Sequence, residues 1–341
     1  MSSPVPTTRI VHGALCAIFP VLASFTWVDA AEEAGADVRT LTLERIFGGD
    51  EFQSKSFSAR WLEDGPGYTF LKKLKSGDAE GSREIWRAEA GEGEATVLVT
   101  AAELVPSGRK EPLDIEGYAF SKDLSQLLVY TNSERVWRKK SRGDYWLLDR
   151  SSGELRQLGG DAPPSSLQFA KISPTGRHVA YVRGPHIYVE DVLDHSISLL
   201  TTAPGETVFN GRFDWVYEEE LQVRDGFRWS PDGGAIAYWQ FDESGVRKHT
   251  LVDHVSGLYP EITQFGYPKT GQQNASCRIG VLEIASRQTC WMKIPGDPRN
   301  HYLARMDWAA NSREIMVQQL NRDQNRNVVM LCKRHDGSVQ R

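Results

Sequence analysis

The sequence predicts an all-β fold, a β-propeller of four-stranded blades, on three observations. Short strand-like runs follow one another between turns, a serine-led turn recurs, and its recurrence has the period of a propeller blade. The turn-initiating serines Ser121, Ser173 and Ser230 are spaced by 52 and then 57 residues, against roughly 40–50 for a blade. A sandwich would also supply many short strands, but not a Ser-Pro-x-Gly turn at this spacing.

Each unit can be justified in order. An early one runs through Phe57-Ser-Ala-Arg-Trp and Tyr68-Thr-Phe to Glu84-Ile-Trp-Arg. The next places strands on either side of the Ser121 turn, then at Asp144-Tyr-Trp-Leu-Leu-Asp and Leu155-Arg-Gln-Leu around Ser151-Ser-Gly. The third repeats this from Leu167 through Ser173-Pro-Thr-Gly to Ser198-Leu-Leu-Thr, and the fourth returns at Phe227-Arg-Trp-Ser-Pro-Asp-Gly. In these turns proline presets φ, the Ser or Asp side chain bonds local backbone, and glycine takes the positive-φ position. A weaker copy follows at Met306-Asp-Trp-Ala-Ala-Asn, so the interval after Ser230 must hold an insertion or a longer outer hairpin. About five blades are expected. One stretch breaks the pattern: Asp214-Trp-Val-Tyr-Glu-Glu-Glu-Leu lacks turn signals and alternation, and Asp214 suits the N-cap of a short helix.

Composition is that of a globular protein: of 341 residues 40% are hydrophobic and 25% charged, and 40 Lys plus Arg face 45 Asp plus Glu. The net charge of −5, without a basic stripe, excludes nucleic acid as an expected partner. The aromatic content suggests half-buried strands. Residues 1–30 read as a secretory signal, with Arg9, an apolar run over 10–27 and small residues before a cut after Ala30, and 31–341 as the mature chain. Export to the periplasm or outside the cell is expected, with an uncleaved anchor as the alternative reading of the same run. No other segment could cross a membrane.

Beyond the signal stand Cys277, Cys290 and Cys332. An odd number means one pair plus a thiol, or three thiols; Cys277 and Cys290 flank an apparent hairpin, which offers a local bridge. No CxxC and no zinc-type Cys/His spacing occurs, so neither a metal nor a cofactor is expected. Asn274-Ala-Ser matches the N-glycosylation pattern.

The run Glu218-Glu219-Glu220 has two readings. Neighbouring carboxylates beside Trp215 and Tyr217 repel one another, and holding them in a pocket calls for a cation such as an ammonium. Alternatively they form a solvated acidic helix start. Arg138 likewise reads either as a guanidinium for a carbonyl or carboxylate, or as one surface cation in Arg135-Val-Trp-Arg-Lys-Lys-Ser-Arg.

The segment Asp214-Trp-Val-Tyr-Glu-Glu-Glu resembles the double-glutamate motif of the dipeptidyl peptidase IV subfamily of prolyl oligopeptidase-type serine peptidases. Three further stretches agree in order: Trp137-Arg138, Tyr267-Pro-Lys-x-Gly-x-x-Asn, and His301-Tyr-Leu leading to Trp308-Ala309. The resemblance runs from about Leu41 to the last residue. It implies that Glu219 and Glu220 grip the free N-terminal ammonium of a peptide, that Arg138 contacts a substrate carbonyl, and that a propeller of eight blades covers an α/β-hydrolase domain. It further implies a cut two residues in, after a penultimate Pro or Ala.

The departure from the family pattern is large. No G-x-S-x-G elbow occurs, no βαβ alternation follows, and Ser173 and Ser230 are turn residues ahead of proline. The six histidines from His186 to His335 are scattered, without a paired nucleophile. Hence no catalytic residue is assigned, the hydrolase domain is expected to be absent, and about five of the eight blades are expected. The chain reads as the exported, substrate-gating propeller portion of such an exopeptidase, inactive alone. Two alternatives stand beside it: a non-catalytic periplasmic binding or scaffold propeller, and a truncated gene product.

Overall fold

The computed structural model describes residues 40–340, apart from 50, 55–56, 64, 77–79 and 92. The expected signal segment lies outside the described residues. The chain divides into two units, one ending at Phe57 and one beginning at Ser58. In the first, the described residues form helix α1 (Leu43–Phe47), capped by Thr42, whose Oγ1 accepts the Arg45 N–H at 3.2 Å.

The second unit is a succession of antiparallel meanders. The first runs β1 (Ala59–Trp61), β2 (Gly67–Lys73), β3 (Arg83–Glu89), β4 (Thr96–Val99). The second is β5 (Gly117–Phe120), β6 (Gln126–Arg135), β7 (Lys140–Asp149), β8 (Leu155–Gln157), and the third β9 (Leu167–Ile172), β10 (His178–Arg183), β11 (His186–Asp191), β12 (Ile197–Leu199). A single pairing of Gly143 with Leu167 joins these two.

In the fourth meander, β13 (Val208–Asn210) and β14 (Phe227–Trp229) lie along the same neighbour, β15 (Ala235–Asp242). Helix α2 (Trp215–Glu219) is inserted between them, so the helix interrupts a strand rather than joining two. The excursion closes on two glycines, since Gly226 N–H bonds the Gly211 carbonyl at 3.0 Å and a Cβ on Gly226 would stand 2.5 Å from the Gly211 carbonyl carbon. Beyond β15 the chain makes a two-stranded ribbon, β16 (Lys248–Asp253) with β17 (Glu261–Gly266), then returns through β18 (Ser276–Glu283) and β19 (Thr289–Trp291). This ribbon fills the long interval seen in the sequence. The last meander is β20 (His301–Trp308), β21 (Glu314–Asn321), β22 (Asn327–Lys333) and β23 (Val339–Gln340).

The recurrent serine has a specific task at the first hairpin of the second, third and fourth meanders. Its buried Oγ accepts the backbone N–H five residues on: Ser121 from Gln126 at 2.9 Å, Ser173 from His178 at 3.1 Å, Ser230 from Ala235 at 2.9 Å. The positive-φ place is Gly176 or Gly233 in two turns and Leu124 in the third, which is why the second meander hides its turn from a glycine search.

Four clusters of buried apolar side chains fill the four spaces between consecutive meanders. Strand β10 shows how. Val179 and Tyr181 enter the cluster shared with the second meander, and Ala180 and Val182 the one shared with the fourth. With both faces covered, central strands read as nearly continuous apolar runs, so the expectation of half-buried strands fails for these, and outer strands such as β1 and β12 are largely exposed. Indole N–H groups tie the meanders together. Trp229 Nε1 donates to the Lys171 carbonyl at 3.2 Å and Trp308 Nε1 to that of Arg228 at 3.3 Å, each reaching the preceding meander.

The Cys277–Cys290 bridge is not formed; Cys277, Cys290 and Cys332 are all thiols. Cys290 faces Val281, four residues along β18 from Cys277. At about 3.3 Å per residue that offset far exceeds the reach of a disulfide, roughly 7 Å between Cα atoms.

Candidate functional site

Three segments converge beside α2. The helix is short because its ends are both specified. Asp214 caps the start, its Oδ1 accepting the Tyr217 N–H at 2.9 Å, and Gln222 at φ +57° turns the chain away after the last turn. Val216 and Tyr217 face the core, where the Tyr217 ring stacks on Phe213 at 5.6 Å and meets Phe241 edge-on at 4.8 Å.

The three glutamates occupy three environments. Glu218 is 4% exposed and lies within the field of Arg224 and Arg212. Burial, only partly offset by those guanidiniums, pushes its carboxyl up to about 7. Burial likewise raises Asp214 to about 7 and pushes up Glu243, while it lowers the Arg212 guanidinium that faces all three acids. The reading of a wholly solvated acidic helix start is therefore overturned for Glu218. Glu219 stands at the rim, its side chain 11% exposed, and Glu220, the C-cap residue, is exposed.

The second segment is the β6–β7 hairpin, whose strands of ten residues each are the longest in the unit's described part. Its tip closes by a Val136 N–H bond to the Lys139 carbonyl at 3.0 Å and carries Arg138. Arg138 Nε lies 2.6 Å from Glu219 Oε2. The structure thus joins Arg138 and Glu219 directly, and sets Glu220 next to them in the chain without a bond of its own to Arg138. Arg138 is 82% exposed, so the pair contributes at most about 1 kcal/mol to folding.

The third segment is the root of the β16–β17 ribbon. Phe265 packs on Trp137 with ring centroids 4.4 Å apart, and Tyr267 on Trp215 at 4.2 Å. Sequence reasoning did not single out Phe265. Its one local signal is the alternation Phe265-Gly-Tyr267, with both rings on one side of a strand.

Two other features noted in the sequence fall elsewhere. Ser173 and Ser230 are buried in their turns, 2% and 0% exposed. Asn274, of the glycosylation pattern, is 6% exposed, with its carbonyl held by Arg299 at 3.1 Å.

Comparison with known proteins matches residues 121–341 to the family model for the dipeptidyl peptidase IV (DPP IV) N-terminal region. A probable dipeptidyl-aminopeptidase B of Podospora anserina is 28% identical over 309 residues, covering 83% of this chain and 33% of the relative. A protein of Rattus norvegicus named inactive dipeptidyl peptidase 10 is 29% identical over 307 residues, covering 88% of this chain and 36% of the relative. Among solved structures, Porphyromonas gingivalis dipeptidyl peptidase 4 superposes with a TM-score of 0.75 at 26% identity, covering 85% of this chain and 40% of that one. The chain spans about a third of the length of the curated relatives it matches.

Proposed function

The chain belongs to the dipeptidyl peptidase IV family through its N-terminal region, and from that membership we propose that it gates peptides by gripping their free N-terminal ammonium. In this reading Glu219 and Glu220 are the acceptors and Arg138 binds a backbone carbonyl of the same peptide. The observation that carries it is the 2.6 Å contact of Arg138 with Glu219, between residues 81 apart in the chain. An ammonium has three donors and needs acceptors at a fixed depth. Glu219 supplies one at the rim beside Arg138, and Glu220 supplies an exposed one. Arg138 turns its Nε edge toward Glu219 as an ion pair, which leaves the terminal nitrogens of its planar fork to offer donors to a carbonyl. The meanders are read as blades of the family's propeller.

In a whole enzyme the ammonium clamp would measure off two residues before the scissile bond, and a serine acyl transfer in a hydrolase domain would release a dipeptide. This chain alone is expected to hydrolyse nothing, having no G-x-S-x-G elbow. A second reading, a binding module without hydrolysis, is favoured by the similarity to a relative named inactive.

Titration calorimetry with Gly-Pro and its N-acetyl form tests the clamp. The free amine is expected to bind, the acetylated form not, and Glu219→Gln or Glu220→Gln to weaken binding roughly tenfold or more, as for loss of a charge-assisted bond. Equal binding of both peptides would overturn it. A Gly-Pro chromogenic substrate separates the two functions, since release of the chromophore contradicts a chain inactive by itself.

A further inference from the structure

The geometry points to Phe265 and Tyr267 as positioning residues, which set the separation of Arg138 from Glu219 and so the fit of the ammonium-bearing end of a peptide; this rests on the clamp reading above. A continuous row of rings connects the two halves of the clamp. It runs from Trp137 to Phe265 at 4.4 Å, from Phe265 to Tyr267 at 6.1 Å edge-on, and from Tyr267 to Trp215 at 4.2 Å. Trp137 is the residue before Arg138. Trp215 stands four residues before Glu219 on α2 and therefore on the same helix face. The row thus runs alongside the ion pair, from the backbone that carries its cation to the helix that carries its anion.

The ion pair cannot fix this distance itself. Arg138 is 82% exposed, and a pair with one partner in water is a weak restraint. Close aromatic contacts between half-buried rings restrain more, because their dispersion and buried area survive salt and solvent. The hairpin tip has little else to rest on, since Arg138, Lys139 and Lys140 are all exposed.

The ribbon root is itself firmly seated. Tyr267 N–H bonds the Arg247 carbonyl at 2.9 Å, His249 pairs across the ribbon with Phe265, and its ring lies 5.4 Å from that of Tyr267. Gly266, between the two aromatics, is buried against the Glu243 carboxylate, where a Cβ would approach to 2.9 Å. The root is therefore a fixed splint, and the exposed remainder of the ribbon is not needed for it.

The test compares the full chain with Phe265→Ala, Phe265→Tyr and the ribbon-tip variant Leu258→Ser. Hydrogen exchange at residues 136–139 reads the hairpin tip without any ligand. Phe265→Ala is expected to speed it by about tenfold or more, while Phe265→Tyr and Leu258→Ser keep the original rate. Gly-Pro affinity is expected to fall about tenfold in Phe265→Ala and to recover in Phe265→Tyr, as displacement of a clamp by a fraction of an ångström would cause. Unchanged exchange at the tip in Phe265→Ala overturns the splint, whatever the peptide does. Faster exchange with unchanged Gly-Pro affinity, where Glu219→Gln weakens binding, also overturns it and leaves the clamp standing. Faster exchange in a chain whose Gly-Pro binding ignores Glu219→Gln supports the splint and removes the clamp.

Discussion

The phenol oxygen of Tyr217 accepts the backbone N–H of Leu303 at 2.8 Å, across 86 residues of sequence. Tyr217 is 3% exposed and Leu303 0%, so no water competes for this bond. It pins the inserted helix to the first strand of the last meander, and the glutamates ride on that helix. Tyr217→Phe keeps the ring stack and removes the acceptor, leaving a buried N–H without a partner. The expected cost is about 1–3 kcal/mol, read as a lower urea midpoint at constant m. An unchanged midpoint would mean that the helix is held by its apolar face alone.

A buried ion pair ties the second and third meanders. Arg156 on β8 meets Glu190 on β11, with side chains 14% and 3% exposed, and Glu190 also accepts the Gly159 N–H at 3.1 Å. Removing one partner strands the other charge, so Glu190→Ala is expected to lose roughly 3–5 kcal/mol. The double variant Glu190→Leu with Arg156→Met should recover most of that loss in the same denaturation experiment. If the double variant is as unstable as the single, the stranded charge is not the cause.

Acidic groups raised by burial give stability a definite pH slope. Glu218 has its native value near 7 and an ordinary one near 4.5 when unfolded, so the folded state binds the extra proton. Its contribution is complete below about pH 4.5 and is lost as pH rises through 7. Urea unfolding at pH 5 and pH 8 checks this, because Glu218→Gln should lose less stability between the two than the parent, by an amount on the order of 2 kcal/mol. Parallel losses would show that Glu218 does not titrate in this range.

The folded chain leaves no room for a glycan at the Asn274-Ala-Ser pattern, since Asn274 is 6% exposed and its carbonyl is held by Arg299. Expressed in a host that glycosylates, the folded chain is expected to carry no glycan at Asn274. Intact-mass analysis before and after enzymatic deglycosylation, with Asn274→Gln as the control, decides it; a mass loss confined to the parent contradicts the prediction.

Thiol reactivity should separate the three described cysteines. Burial pushes the Cys277 thiol far up and Cys332 up to about 11, while Cys290 is only partly covered. Iodoacetamide at pH 8 followed by peptide mapping is expected to mark Cys290 first. Early labelling of Cys277 would contradict the packing under α2.

What could be read from the residues was whatever is encoded within a few positions. The Ser173 and Ser230 turns, the Asp214 cap and the helix it starts are local chemistry. The turn after Ser121 is partly disguised because Leu124 occupies the positive-φ position. The division of Glu218, Glu219 and Glu220 among core, rim and solvent is a matter of helix phase and of what covers each face, and spacing alone supplies only the first. The contact of Trp137 with Phe265 joins residues 128 positions apart, beyond any periodicity. The choice between one bridge and three thiols, left open by the sequence, is decided by register, because two cysteines flanking a hairpin need not face each other.

The indole relay, from Trp308 to Arg228 and from Trp229 to Lys171, makes every such sheet a creditor of the one before it. Where apolar clusters join each sheet to the next in chain order, stability is a nearest-neighbour property. A lesion at Trp229 should therefore melt the slowest-exchanging amides of two adjoining sheets together and fade at the third, so that damage travels one step along the stack instead of collapsing the whole of it.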